Sequence, residues 1–348
     1  MDRREFLKSS SLTLVGAGLS TPSALATPAL VQRTRDLVLA SPWPANSGGF
    51  ADEVHSLARR LEHACSGRVK FRLSQGSESG IDAVTSGVAD LHVGLTHGHV
   101  GHHPAFGYFA GLPVHIGLPF VNLARWLDFG GGRELWDQLS ASFDTISLLA
   151  GHTGRPAGIW TVHPLTSLHD LTSQAVFSQG LARDVTEGLG AVAVEMTVTA
   201  IAPNLSDGKL RAAEWGNGAQ CLAVGLPEVA KFSTTDGFVP AGSTVCLTAA
   251  RATWEGLGSE LQNIIRVTAM NQARRSAATA SANDAIIRQA LTKVYGVSFY
   301  GMPLDIRSAA ARMSEAVVAD VASRDRMSRR INEGYLGARA HAPAAEIS

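Results

Sequence analysis

The hydrophobic and polar positions of this chain switch repeatedly between two periods. Residues 36–40 form a short apolar run, the pattern of a buried strand. Over residues 49–64, Phe50, Val54, Leu57 and Leu61 recur at three- and four-residue spacing, which puts them on one helix face. Ser66-Gly67 closes that segment. Residues 69–73 then alternate with period two, as a half-buried strand does. A short helix over 81–88 and a strand over 91–95 follow. This β-α-β-α-β order predicts an α/β fold with a mainly parallel sheet and helices on both faces.

Farther along, residues 123–139 predict a helix broken near its middle by Gly130-Gly131-Gly132, and 146–150 a strand. Another α/β unit spans 175–215, and 243–248 is a strand. Residues 253–291 are alanine-rich with no proline and no glycine after Gly258, which predicts a long helix. Residues 305–335 form a second helical, charge-rich stretch. The expected crossing between two domains lies over 151–160, with a return over 239–245. Two crossings make a hinge around a cleft. The expected organisation is a first lobe over 33–150 and 240–265, a second lobe over 151–239, and connecting and C-terminal helices over 266–340.

The ends and the composition narrow the picture. Asp2-Arg3-Arg4-Glu5-Phe6-Leu7-Lys8, a short apolar run and Ala24-Leu25-Ala26 occur in the order of a twin-arginine signal peptide. Residues 1–26 are read as that signal, with the mature chain starting near Thr27 in the periplasm. The chain carries 30 basic and 30 acidic side chains, and the signal holds three and two of them, so the remainder stays near neutral. No basic stripe points to nucleic acid. The roughly 320 remaining residues exceed what one core usually serves, so two domains are expected. Cys65, Cys221 and Cys246 could give one disulfide and a leftover thiol, but each sits in an apolar or helical pattern, which favours three buried, inert thiols.

Several motifs fall in a fixed order: Ser41-Pro42-Trp43-Pro44, Gly49-Phe50, Pro104-Ala105-Phe106, Pro119-Phe120 and Trp126. Then come Asp128-Phe129-Gly130-Gly131-Gly132-Arg133-Glu134-Leu135-Trp136-Asp137-Gln138-Leu139, Trp160, Asp170-Leu171 and Ala212-Ala213-Glu214-Trp215. Together they resemble the solute-binding proteins of TRAP transporters, the DctP-type family, and look closest to the branch that binds 2-oxo acids. The resemblance implies a two-lobe periplasmic binding protein fold with a central cleft, hinge strands and a long helix spanning both lobes. It implies a receptor that captures a small organic ligand for membrane permease subunits, with a possible homodimer through the C-terminal helix. The triple glycine lacks the Gly-Lys-Ser/Thr ending of a phosphate loop and reads as a tight turn. No nucleophile elbow, His-Glu-x-x-His or paired carboxylates suggest an enzyme.

The resemblance places Glu214 and Trp215 at the ligand and at a metal ion, usually sodium. A hard cation takes carboxylate and carbonyl oxygens, and it can neutralise a substrate carboxylate. Trp43 is a further ligand-site candidate. Two positions depart from the family. Pro156 stands where a ligand-contacting glutamine is usual, and Phe177 where an arginine pairs with the ligand carboxylate. Such a bidentate pair contributes roughly 1.5–3 kcal/mol. Its loss shifts the expected ligand toward a less anionic or more apolar molecule, with Phe177 as added apolar surface. Arg155 is a candidate replacement, although strand neighbours point to opposite faces. His97-Gly98-His99-Val100-Gly101-His102-His103 offers His97 and His99 as cleft-lining groups. It also opens the alternative of a periplasmic metal-binding or sensory protein.

Changing Arg3 and Arg4 to Lys should hold the precursor in the cytoplasm on cell fractionation. Normal export of that variant would rule out the twin-arginine route.

Overall fold

The computed structural model describes residues 34–45, 48–75 and 79–342. The proposed signal over 1–26 lies outside the described residues. Among the described residues eleven strands form two sheets. They are β1 (Arg35–Ser41), β2 (Val69–Gln75), β3 (Leu91–Leu95), β4 (Thr145–His152), β5 (Ile159–Thr161) and β6 (Ala175–Phe177). The rest are β7 (Val192–Val194), β8 (Ala212–Glu214), β9 (Phe232–Thr234), β10 (Thr244–Ala250) and β11 (Ser298–Tyr300). The first sheet has the order β2-β1-β3-β10-β4, and the second β11-β9-β5-β8-β6-β7. This is the α/β, two-lobe architecture expected from the alternation of periods.

The sheets are more mixed than a β-α-β pattern predicts. β1 is parallel to β2 and β3, and β6 is parallel to β7 and β8. β10 is antiparallel to both β3 and β4, and β5 to both β8 and β9. These two reversed strands are the first ones laid down after each crossing. A chain arriving from the other sheet enters in the opposite direction, with no crossover helix to turn it round.

The chain leaves the first sheet after His152 and joins the second at Ile159; it returns between Thr234 and Thr244. The two passages are bonded to each other: Thr153 N–H donates to the Ser243 carbonyl, and Ser243 N–H to Thr153 Oγ1, both at 2.8 Å. A third connection is helix Ser259–Lys293, 35 residues and so roughly 50 Å long. It starts after Gly258 (φ 78°), which splits the stretch expected as one helix into Arg251–Leu257 and the long helix. The long helix packs on β4 and helix Phe50–Ala64 at one end and on helix Gly218–Ala223 at the other. Ser276 Oγ accepts the His152 N–H at 2.9 Å, which fixes it to the first passage.

The glycine-rich run explains itself. Gly131 takes φ 79° between helices Phe120–Phe129 and Gly132–Ala141. A Cβ on Gly132 would sit 2.7 Å from the Trp126 indole. Phe109 stacks between Trp126 and Trp136, with centroids 5.3 and 5.0 Å away. The stretch that resembles the family most is therefore packing. The last helical stretch is likewise split, into Leu304–Ser323 and Arg326–Ala340, because the Asp325 side chain caps the second helix by accepting Ser328 N–H at 2.7 Å. Ile331 and Tyr335 bury the apolar face of that helix within the chain. All three cysteines are buried free thiols.

Gly158 has φ 101°, and a Cβ there would run into the Thr234 carbonyl oxygen. Gly158→Ala should therefore destabilise the protein by about 2 kcal/mol or more. Urea unfolding should show a lower midpoint at unchanged slope; an unshifted midpoint would mean that the passage accommodates a side chain.

Candidate functional site

Between the sheets lies a cavity of about 40 Å³, room for a few waters. Phe50, Leu95 and His97 line it from the first sheet's side, and Gln179, Ala182, Glu214 and Trp215 from the second. Thr153, Pro156, Val239, Gly242 and Ser243 of the two passages complete the wall. Among the described residues no lysine or arginine belongs to that lining.

Glu214 ends β8 and is engaged by the return passage. Its Oε2 accepts Phe238 N–H at 3.0 Å and its Oε1 accepts Val239 N–H at 2.9 Å. A Cβ on Gly237 would collide with Oε1, so glycine there lets the carboxylate reach two successive amides. Burial pushes the carboxyl up to about 7, against the opposing pull of the two N–H bonds. Trp215 follows, 3 % exposed, edge-on to Phe50 with centroids 5.5 Å apart. Its Nε1–H has no partner among the described residues.

His97 Nε2 meets Ser243 Oγ at 2.6 Å across the return passage. Its Nδ1 has no partner among the described residues and packs against Gly180. Burial lowers this imidazole to about 4, so it is neutral at ordinary pH. The other imidazoles of the run turn elsewhere. His99 faces Thr248 Oγ1 and Cys246 Sγ at 3.4 and 3.9 Å, inside the first lobe. His102 meets Asp82 at 3.1 Å, and His103 meets Asp325 at 2.8 Å. The run thus diverges over four separate neighbourhoods, and among the described residues no three His, Cys, Asp or Glu side chains converge on a metal.

The remaining expected site residues stand behind or beside the cavity. Trp43 stacks on Phe50 at 4.6 Å, one ring behind the wall. Phe177 is 1 % exposed, behind Trp215 with centroids 6.3 Å apart. Trp43, Phe50, Trp215 and Phe177 thus form an aromatic chain running from one sheet to the other. Arg155 faces a different crevice, 60 % exposed and 3.8 Å from Asp236. Glu214, Trp215 and His97 are the three brought together.

Gln179, Thr153 and Ser243 had not been singled out from the sequence. Gln179 lies two residues past Phe177, beyond the end of β6, where no pairing enforces alternation and no local pattern marks it. Its amide makes no side-chain hydrogen bond among the described residues and lines the cavity.

The family model for DctP, bacterial extracellular solute-binding protein family 7, matches residues 43–325. The chain belongs to this family. A curated relative from a Nostoc species, a monocarboxylate 2-oxoacid-binding periplasmic protein, is 25 % identical over 311 residues, 85 % of this chain and 82 % of its own. Among solved structures, a TRAP transporter solute-binding protein from Bordetella bronchiseptica superposes with a TM-score of 0.83 at 20 % identity, covering 88 % of this chain and 92 % of the other. That structure is described as a mixed-occupancy dimer with copurified calcium and picolinate. A TRAP periplasmic solute-binding protein from Pseudoalteromonas atlantica, with sodium and pyruvate, gives 0.82 at 20 % identity over 88 % and 94 %. This protein is thus a bacterial extracellular solute-binding protein of the DctP family, with the two-lobe fold of those TRAP structures. Among its described residues no helix is long and apolar enough to cross a membrane.

A hard cation such as those would meet a sparse donor set here. Calcium takes six or more oxygens. The cavity offers one carboxylate, and each of its oxygens already accepts a backbone N–H. The Trp215 carbonyl accepts Cys221 S–H at 2.8 Å. Proline at 156 contributes no side-chain donor atom. The Gln179 amide oxygen and the Thr153 and Ser243 hydroxyls are the further side-chain oxygens of the lining.

The raised Glu214 carboxyl has a consequence for stability. Between its ordinary 4.5 and about 7, the folded state keeps a proton that the unfolded chain has released. Its contribution is whole below 4.5 and is lost as pH rises through about 7. Glu53, buried on the first helix, is pushed the same way, so the informative quantity is a difference. Relative to Glu214→Gln, the wild type should lose on the order of 1–2 kcal/mol between pH 5 and 8. Parallel stability–pH curves for the two proteins would show that the carboxyl is not perturbed.

Proposed function

We propose that this receptor works in the periplasm, binds without chemical change, and delivers a neutral, hydrogen-bonding solute with an apolar portion to TRAP permease subunits. The observation that carries the ligand class is the absence of any cationic side chain from the cavity lining, with Phe177 buried at the position where the family resemblance leads one to expect arginine. A carboxylate drawn from water into such a space needs a partner, because unpaired burial of charge is costly. The polar groups that do line it are neutral or already engaged: the His97 imidazole, the free Gln179 amide, Thr153, Ser243 and the locked Glu214. Phe50, Leu95, Trp215 and Val239 supply the apolar walls. Hydroxyl, carbonyl or amide groups match the unpartnered Trp215 Nε1–H and Gln179 amide. The relatives crystallised with pyruvate or picolinate carry a cation as well, and the donor set for one is sparse here.

Calorimetry with 2-oxo acids, polyols, small amides and aromatic acids tests this. Neutral solutes should bind with submicromolar to micromolar affinity, and Trp215→Ala or Gln179→Ala should weaken them at least tenfold. Pyruvate should bind 10–100-fold more weakly than the best neutral solute, the loss of one charge-assisted pair at about 1.4 kcal/mol per tenfold. Submicromolar pyruvate binding that Trp215→Ala abolishes would overturn the ligand class.

A further inference from the structure

The two passages between the sheets are a wall with two faces. Thr153 and Pro156 of the first passage and Gly242 and Ser243 of the second line the solute cavity. Their neighbours His152, Gly154, Arg155, Pro240 and Ala241 line a larger crevice, of about 510 Å³. The crevice is closed on its far side by Ala277, Ala280, Ser281 and Asp284 of the long helix and by the segment around Phe120. Its size is that of a small-molecule site.

Two charges in it lack ordinary partners. Arg155 makes no hydrogen bond among the described residues; its only ion contact is Asp236 at 3.8 Å, and Asp236 is shared with Arg307 at 3.6 Å. Asp284 makes neither an ion pair nor a hydrogen bond among the described residues. Ala280 lies where a Cβ on Gly154 would collide with it, so the long helix touches the first passage there. Asp284 is one turn onward on the same helix face. The crevice thus holds a guanidinium beside the first passage and a carboxylate one turn from that contact. Phe120 lines the crevice from the 114–120 segment, its ring 4.9 Å from that of His152.

The geometry points to a second binding site, at the hinge, for a zwitterionic α-amino acid with an apolar side chain. Its carboxylate meets Arg155, its ammonium meets Asp284, and its side chain covers Phe120 and Pro119. Neither charge alone is satisfied by a simple acid or amine, since each leaves one protein charge facing like or nothing. The site is separate from the solute cavity and independent of which solute that cavity takes.

L-phenylalanine, phenylacetate and phenethylamine serve as probes in titration calorimetry on the full mature chain. L-phenylalanine should bind in the micromolar to low millimolar range and more tightly than either single-charge analogue. Arg155→Ala and Asp284→Ala, both of exposed or half-exposed side chains, should each weaken it about threefold to tenfold. Trp215→Ala should leave it unchanged. No binding of L-phenylalanine by 10 mM, or binding that ignores Arg155→Ala and Asp284→Ala, overturns the site. Binding lost in Trp215→Ala instead assigns the amino acid to the central cavity, which overturns the hinge site while leaving the receptor function standing.

Discussion

Everything the receptor can do depends on how two short passages are held together between its sheets. Thr153 and Ser243 exchange backbone and side-chain hydrogen bonds, and the Glu214 carboxylate grips two successive amides of the return passage. Asn217 Nδ2 adds a bond to the Thr153 carbonyl at 2.7 Å. Hydrogen bonds to a charged acceptor are about twice as strong as neutral ones. Left without the carboxylate, two N–H groups in a partly buried stretch would each cost roughly 1–3 kcal/mol. Glu214 therefore belongs to the frame before it belongs to any ligand, and the frame decides what faces the cavity.

The electrostatics follow from that frame. A carboxylate already serving two amides, and raised toward neutrality by burial, cannot also act as a strong anchor for a cation. A histidine held neutral by burial cannot balance an anion. Phe177, where the family resemblance implies an arginine, does not line the cavity; it supports Trp215 from behind. The aromatic chain from Trp43 to Phe177 gives the two sheets a continuous apolar contact in place of a charged one, and edge-to-face pairs of this kind add about 0.5–1.5 kcal/mol beyond area burial.

Much of the frame was legible in the residues. Period-two and helical-period stretches located β1, β2, β3 and the helices between them, and the motif around Glu214-Trp215 located the cavity. The direction of β5 and β10 was not legible, because strand polarity depends on which sheet the chain has just left, and no local pattern carries that. The split at Asp325 was signalled by a capping residue with serine three positions on, a cue outweighed by the continuous charge pattern on both sides. The histidine run misled for a physical reason. Four imidazoles close in sequence on a loop that turns through 3₁₀ geometry point in different directions, so proximity along the chain gives no convergence in space. Gln179 was hidden because it lies past the end of β6, where alternation is no longer enforced by pairing.

One further consequence concerns how a family can change its ligand without changing its fold. Positions on the two passages divide between two faces without strict alternation: Thr153, Pro156, Val239, Gly242 and Ser243 face the solute cavity, and His152, Gly154, Arg155, Pro240 and Ala241 the hinge crevice. Proline at 156, on the solute side, offers the cavity no polar side chain and the passage no N–H, and it fixes φ at the same place. Arg155 next to it lines the hinge crevice and meets Asp236 at 3.8 Å, so it does not supply the cavity with the missing polar group. The polar side chains left in the cavity are Thr153 and Ser243 of the passages and His97, Gln179 and Glu214 beyond them, while the other face of the passages lines the hinge crevice.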